Sequence, residues 1–233
     1  MLSDRQFDKI LQGMIPLPKA LRNGLLRCLF FGIKTPLDFQ KRYMRHLVYY
    51  VLRKTTTGWS YSFPAALDRK SNYTFMSNHR DIVLDSAFLC VFLLKAGFST
   101  PVEIAIGDNL LIYPWIKTLV RMNKAFTVNR GLTPKEMLKS SIHMSQYMHY
   151  VINDKHDNIW IAQREGRAKD SDDRTQESVL KMLNMGGPTP GKTTAEIIEN
   201  LRNMNIVPLA ISYEYDPCDY LKAKEFQCKR DIP

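Results

Sequence analysis

Tyr73-Thr74-Phe75-Met76-Ser77-Asn78-His79-Arg80-Asp81-Ile82-Val83-Leu84-Asp85 is the stretch whose reading decides the fold. A short run rich in aromatic and apolar residues closes on a polar cluster, and an apolar run of helical length follows it. The pattern predicts a strand over 73–77 and a helix over 84–96. The same alternation continues outward, with strands expected at 102–106, 125–128, 158–163 and 207–212 and helices at 114–122 and 175–184. Thr133-Pro134-Lys135-Glu136 is a helix start, with Thr as N-cap, Pro at the first helical position and Glu three residues on. Met137, Met144, Met148 and Val151 mark one face of that helix and read as core packing. Thr193-Thr194-Ala195-Glu196 is a second capping box, opening a helix expected to bury Ile197, Ile198, Leu201 and Met204. Alternating strands and helices argue for an α/β fold, a largely parallel sheet flanked by helices.

Residues 1–56 read differently, as two or three helices separated by Pro16, Pro18 and the segment 32–36. Residues 1–60 hold eleven Lys and Arg against three Asp, so +8 of the +10 net charge falls in about a quarter of the chain. These cations are interleaved with Leu, Ile, Phe and Tyr, as in Leu25-Leu26-Arg27-Cys28-Leu29-Phe30-Phe31. A mixed basic and apolar face suits an anionic membrane surface. The rival is a solvated basic helical pair packed on the rest of the fold; a nucleic-acid partner is not expected, because no nucleic-acid module accompanies the charge. The organisation expected is therefore a basic amphipathic helical segment over 1–56 and an α/β domain over 57–233. The chain stops shortly after a starting helix, with no tapering tail, so the C-terminus reads as a truncation.

No uncharged apolar run reaches the roughly 18–20 residues that span a bilayer. The start of the chain lacks the layout of a signal peptide. The protein is expected to be cytoplasmic and peripheral on the inner face of a membrane. Cys28, Cys90, Cys218 and Cys228 have no metal-ligand spacing and read as reduced structural thiols. No metal and no cofactor is expected.

In the deciding stretch, a neutral His can take a proton near pH 7. A carboxylate on its other ring nitrogen fixes the tautomer and stabilises the imidazolium. His79 with a following Asp supplies both groups, at the strand end where parallel sheets place ligands. The bland reading is a histidine that helps to cap the next helix, with Asp85 favoured by the helix dipole; the segment alone weighs the two evenly. Gly186-Gly187-Pro188-Thr189-Pro190-Gly191-Lys192-Thr193 matches the letters of a phosphate-binding loop. It follows a predicted helix instead of a strand, and its prolines remove two of the N–H donors such a loop needs. A nucleotide site, and with it a phosphotransferase, is disfavoured.

Four motifs in order tip the balance. Asn78-His79 with a following Asp resembles the first motif of the glycerol-phosphate and lysophosphatidate acyltransferase superfamily. Gly107-Asp108-Asn109-Leu110, then Pro114 and Phe126-Thr127-Val128-Asn129-Arg130, resembles the second, in the form closest to the glycerol-3-phosphate and dihydroxyacetone-phosphate branch. Glu165-Gly166-Arg167 resembles the third, and Val207-Pro208-Leu209-Ala210-Ile211-Ser212-Tyr213-Glu214 the fourth. The resemblance covers roughly residues 70–225. It departs from the family in two places. The family spacing puts the carboxylate at position 84, which is Leu84 here; Asp85, one late, is favoured over Asp81, three early. Arg167 follows Gly166 directly, so Arg164 or Lys169 are candidates to share its role.

The resemblance implies transfer of a fatty acyl group from acyl-CoA or acyl-carrier protein to a hydroxyl of glycerol 3-phosphate or a related lysophospholipid acceptor, in phospholipid synthesis. It implies His79 as base and Asp85 as its orienter, with Arg130, Glu165, Gly166 and Arg167 around the acceptor. The chemistry agrees, since guanidinium groups bind phosphate bidentately and a glycine lets backbone approach closely. Without the resemblance, Arg130 reads as a surface charge and Glu165-Gly166-Arg167 as a polar turn. The alternative from a different class is a catalytically silent lipid-surface binding protein with the same fold, which the displaced carboxylate favours.

Overall fold

The computed structural model of the chain describes residues 2–64, 67–169, 172–187 and 193–230. The N-terminal region is helical. Helix α1 (Arg5–Met14) is capped by Asp4, whose carboxylate accepts from the N–H groups of Gln6 and Phe7. Helix α2 (Lys19–Leu29) returns against it, and its Arg22 is buried in an ion pair with Asp8. Thr35 and Asp38 form a capping box for α3 (Pro36–Phe39), which runs through a π-helical turn, Gln40–Met44, into α4 (Arg45–Thr55). These helices are packed on the rest of the protein. Val48 and Leu52 of α4 bury against Val91, the Phe7 ring packs at a tilt beside Trp115 with ring centres 5.3 Å apart, and Gln40 Nε2 donates to the Asn123 carbonyl at 3.0 Å.

The α/β region then runs β1 (Thr74–Ser77), α5 (Leu84–Ala96), β2 (Val102–Gly107), α6 (Pro114–Met122), β3 (Ala125–Val128), α7 (Pro134–Asn153), β4 (Asn158–Ala162), α8 (Glu177–Asn184), α9 (Thr194–Arg202), β5 (Ile206–Leu209) and α10 (Asp219–Arg230). The five strands form one parallel sheet in the order β3-β2-β4-β1-β5. Ser77 pairs with both Ala162 and Leu209, and Gly107 with Val128. The C-terminal ends of all five strands therefore meet at one edge, where the polar segments that follow them converge.

Both faces of the sheet are covered, as the apolar strands require. Successive residues point to opposite sides: Phe75 and Trp160 pack with Leu89, Leu93 and Phe98 on the α5 side, while Met76, Ile159 and Ile161 pack with Met148, Val151, Leu183 and Met204 on the other. Glu136 accepts from the N–H and hydroxyl of Thr133 at the start of α7, and Thr193 and Glu196 form the reciprocal cap of α9.

Three expectations shift. Strand β5 ends at Leu209 instead of 212. Beyond it the Asn78 side chain bonds both the N–H and C=O of Ile211, at 2.8 and 2.7 Å, in place of a neighbouring strand. Met137 and Ile198 are exposed, because the first turn of α7 stands clear of the core and Asn200 takes the buried position in α9. All four cysteines are free thiols, as expected, but Cys28, Cys218 and Cys228 are exposed, and of the four only Cys90 packs against a core cluster.

The phosphate-loop look-alike has a packing explanation where it can be seen. A side chain on Gly186 would run into the α7 backbone at Ser145 and Gln146, and one on Gly187 into Asn200. Thr193 caps α9 and the preceding element is helix α8, while residues 188–192 lie outside the described residues. Among the described residues no helix is long and apolar enough to cross a membrane.

Candidate active site

His79 follows the end of β1 by two residues. Its Nδ1 lies 2.9 Å from Oδ2 of Asp85, in the first turn of α5. The backbone N–H groups of Arg80 and Asp81 donate to the same oxygen at 2.7 and 3.0 Å, and the Tyr213 hydroxyl donates to Oδ1 at 2.7 Å. Asp85 is fully buried. Burial works against its charge, but the hydrogen bonds from His79, Tyr213 and the N–H groups of Asp81 and Arg80 outweigh it and hold the carboxyl below its ordinary 3.8. The helix N-terminus favours the same charge. An ionised acceptor at Nδ1 assigns that nitrogen the ring proton and leaves the lone pair on Nε2. Burial first, and then the Asp85 charge, push the Tyr213 hydroxyl up, so it stays a donor. The His79 ring stands edge-on to Trp160, with centres 5.3 Å apart. Its side chain keeps 14% of its surface exposed, so a substrate can reach it.

Asp81 does something else. Its Oδ1 accepts from the N–H groups of Val83 and Leu84 at 2.9 and 2.8 Å, which caps the start of α5. The structure thus pairs His79 with the carboxylate one residue beyond the family spacing.

The other four predicted site residues come together in an open cleft of about 830 Å³ beside this pair. Arg130 follows β3, and its Nη1 pairs with Glu165 Oε1 at 2.8 Å. Its backbone N–H donates to Asp108 Oδ1, and its Nε is buried with no partner among the described residues. Gly107 makes room for that guanidinium: a Cβ there would sit 2.8 Å from Arg130 Nε and closer still to Asn109 Oδ1. Gly166 turns the loop after β4 with φ +72°, a conformation that glycine adopts without strain. Arg167 lies beyond the turn and faces Glu225 of α10. Of the two candidates to share its role, Lys169 also contacts Glu225, whereas Arg164 donates to the Asp172 carbonyl. His79 and Asp85 do not line the cleft; the Ala168 N–H joins the two halves by donating to the His79 carbonyl at 2.7 Å.

Supports that were not assigned from sequence complete the arrangement. Asn78 ties the His79 loop to the chain beyond β5. The buried Lys222 of α10 donates to the Arg80 carbonyl at 2.7 Å and pairs with Asp216, and Arg80 pairs with Asp173. Tyr213 sits inside the fourth motif, at the right sheet edge, but nothing local marks it as the partner of a residue 128 positions away. Among the described residues, no group of three or more His, Cys, Asp or Glu side chains is placed to hold a metal ion. Compared with known proteins, the chain is matched by the family model described as Acyltransferase over residues 60–212. No curated protein and no solved structure matches it.

Proposed function

The chain belongs to the acyltransferase family, and from that premise we propose that it acylates a hydroxyl of glycerol 3-phosphate or a related lysophospholipid from acyl-CoA or acyl-carrier protein, in phospholipid synthesis. The observation that carries the reading is the buried Asp85 carboxylate 2.9 Å from His79 Nδ1, beside a cation-lined cleft. In this mechanism the Nε2 lone pair takes the proton of the acceptor hydroxyl as its oxygen attacks the thioester carbonyl. Asp85 stabilises the imidazolium that forms. The tetrahedral intermediate collapses, the carbon–sulfur bond breaks, and the Nε2 proton passes to the departing thiolate. No charge or proton is left over, and no cofactor enters the cycle. The silent lipid-binding alternative rested on a carboxylate displaced by one residue; that displacement does not separate Asp85 from His79.

Arg130 and Arg167 are the proposed holders of the acceptor's phosphate. Glu165 engages only Nη1 of Arg130, whose side chain keeps 37% of its surface exposed, so Nη2 is left for a phosphate. Charge-assisted contacts are worth about 1.5–3 kcal/mol each. Replacing either Arg by Ala should then raise the acceptor KM about ten- to a hundredfold and change the donor KM much less. Steady-state kinetics with each substrate varied in turn decides it. A rise in donor KM with acceptor KM unmoved would assign the arginines to the carrier's phosphates instead.

We propose an anionic membrane, on the cytoplasmic side, as the surface where the protein works. Leu21, Leu25 and Leu29 are exposed at four-residue spacing on α2, with Met14 and Phe31 exposed on either side. Lys19 and Arg27 are exposed among them. Deleting residues 1–56 would remove Val48 and Leu52 and uncover Val91 beneath them, so substitutions are the better test. The pair Leu21→Glu and Leu25→Glu should lower partition onto anionic vesicles more than about tenfold, since burying one Leu is worth about 1.5–3 kcal/mol. Binding by the unaltered protein should weaken as salt rises. Salt-insensitive binding that the double variant leaves unchanged would show these helices to be scaffold only.

A further inference from the structure

Glu225 on α10 makes contacts that the reaction does not use. Its Oε1 accepts from Lys169 and lies 3.2 Å from Lys229 Nζ, and its Oε2 lies 3.8 Å from Arg167 Nη2. Cations from two separate segments, the loop after β4 and α10, thus converge on one carboxylate inside the acceptor cleft. Hydrogen bonds from Lys169 and then Lys229 hold that carboxyl below its ordinary 4.5, so it is ionised. Three positive charges face one negative charge there, so the cations outnumber the carboxylate that they hold. At 3.8 Å the Arg167 contact is a charge pairing without a hydrogen bond, so the guanidinium donors are not committed to Glu225.

The helix that presents Glu225 is fixed. Lys222, one turn earlier, is buried against the Arg80 carbonyl and Asp216. The Glu225 side chain is 38% exposed and hangs on three rotatable bonds. It can swing into water while α10, and with it Lys229, stays in place.

We propose that the Glu225 carboxylate occupies the seat of the acceptor's phosphate, and that the arriving phosphate displaces it onto Arg167, Lys169 and Lys229. The proposal rests on the reading of Arg167 as an acceptor residue. It adds two ligands to that reading, and Lys229 lies beyond the residues that the family model matches. It also makes acceptor affinity lower than the cations alone would give, because a seat that is filled part of the time binds in proportion to the fraction left open. A strut that merely holds Arg167 and Lys169 in position would act with the opposite sign, since removing it would loosen the cations and weaken binding.

Titration calorimetry of the full chain with inorganic phosphate at low salt separates the two. If the seat is filled about nine-tenths of the time, E225Q should bind phosphate roughly tenfold more tightly than the unaltered protein. E225A should change affinity in the same direction, which excludes a new contact from the amide. The acceptor KM of E225Q should fall by the same factor, and R167A should lose most of its phosphate affinity. Phosphate binding that R167A weakens but E225Q leaves unchanged or weakens overturns the Glu225 proposal and leaves the acceptor site standing. Phosphate binding that R167A does not change overturns the seat itself, and the Glu225 proposal with it.

Discussion

His79→Ala is expected to remove almost all acyl transfer while the protein stays folded. A positioned general base contributes typically 10²–10⁴-fold, so a loss of about a thousandfold is the central expectation. The structural cost is small by comparison. The imidazole touches Trp160 edge-on and donates to Asp85. Without it, Asp85 keeps the N–H groups of Arg80 and Asp81 and the Tyr213 hydroxyl, so the buried charge is not abandoned. Losing one charge-assisted hydrogen bond of four should lower stability by about 1.5–3 kcal/mol. The measurement is thiol release from an acyl thioester with glycerol 3-phosphate, beside a thermal unfolding curve. A folded variant that releases thiol at close to the original rate would remove His79 from the mechanism.

What the sequence made legible follows from where each interaction closes. Helices 84–96 and 114–122 and strand 125–128 are found at their expected bounds, because an apolar run of helical length, a proline at the first helical position and a short apolar strand are local signals. The parallel sheet followed from strand–helix alternation, but its order did not. Strand β4 enters between β1 and β2, a choice made by side-chain packing across residues far apart in the chain. The site divides the same way. His79 and Asp85 sit within one turn-and-helix unit, so their contact closes within seven residues of sequence. Tyr213 and Lys222 reach that unit from 128 and 142 positions away, and nothing in their own neighbourhoods predicts it. The exposed Met137 and Ile198 show the reverse error: a face drawn from periodicity alone extends past the point where the sheet stops supporting it.

Asp85→Asn should cost far more activity than Asp81→Asn, and the hydrogen bonds say why. Asp81 caps α5 by accepting from Val83 and Leu84. Asparagine caps helices about as well as aspartate, so Asp81→Asn should shift stability by only a few tenths of a kcal/mol and turnover by roughly twofold. At Asp85 the amide can keep its oxygen toward His79, Arg80 and Asp81, with its NH₂ toward the Tyr213 oxygen, so the fold survives. What it lacks is the negative charge that steadies the imidazolium. Comparable exchanges in His–Asp couples cost up to about 10⁴-fold, and a loss of a hundredfold or more is expected here. Acid unfolding gives a second readout. The Asp85 carboxyl titrates below its ordinary 3.8 in the folded protein. Its contribution to stability is therefore complete above that value and is lost as pH falls through the lower, folded pKa. Asp85→Asn has no such group, so its stability should fall less steeply below about pH 4. If Asp81→Asn instead proved the more damaging of the two in turnover, the carboxylate that serves His79 during catalysis would be Asp81, and the pair seen here would be a structural cap.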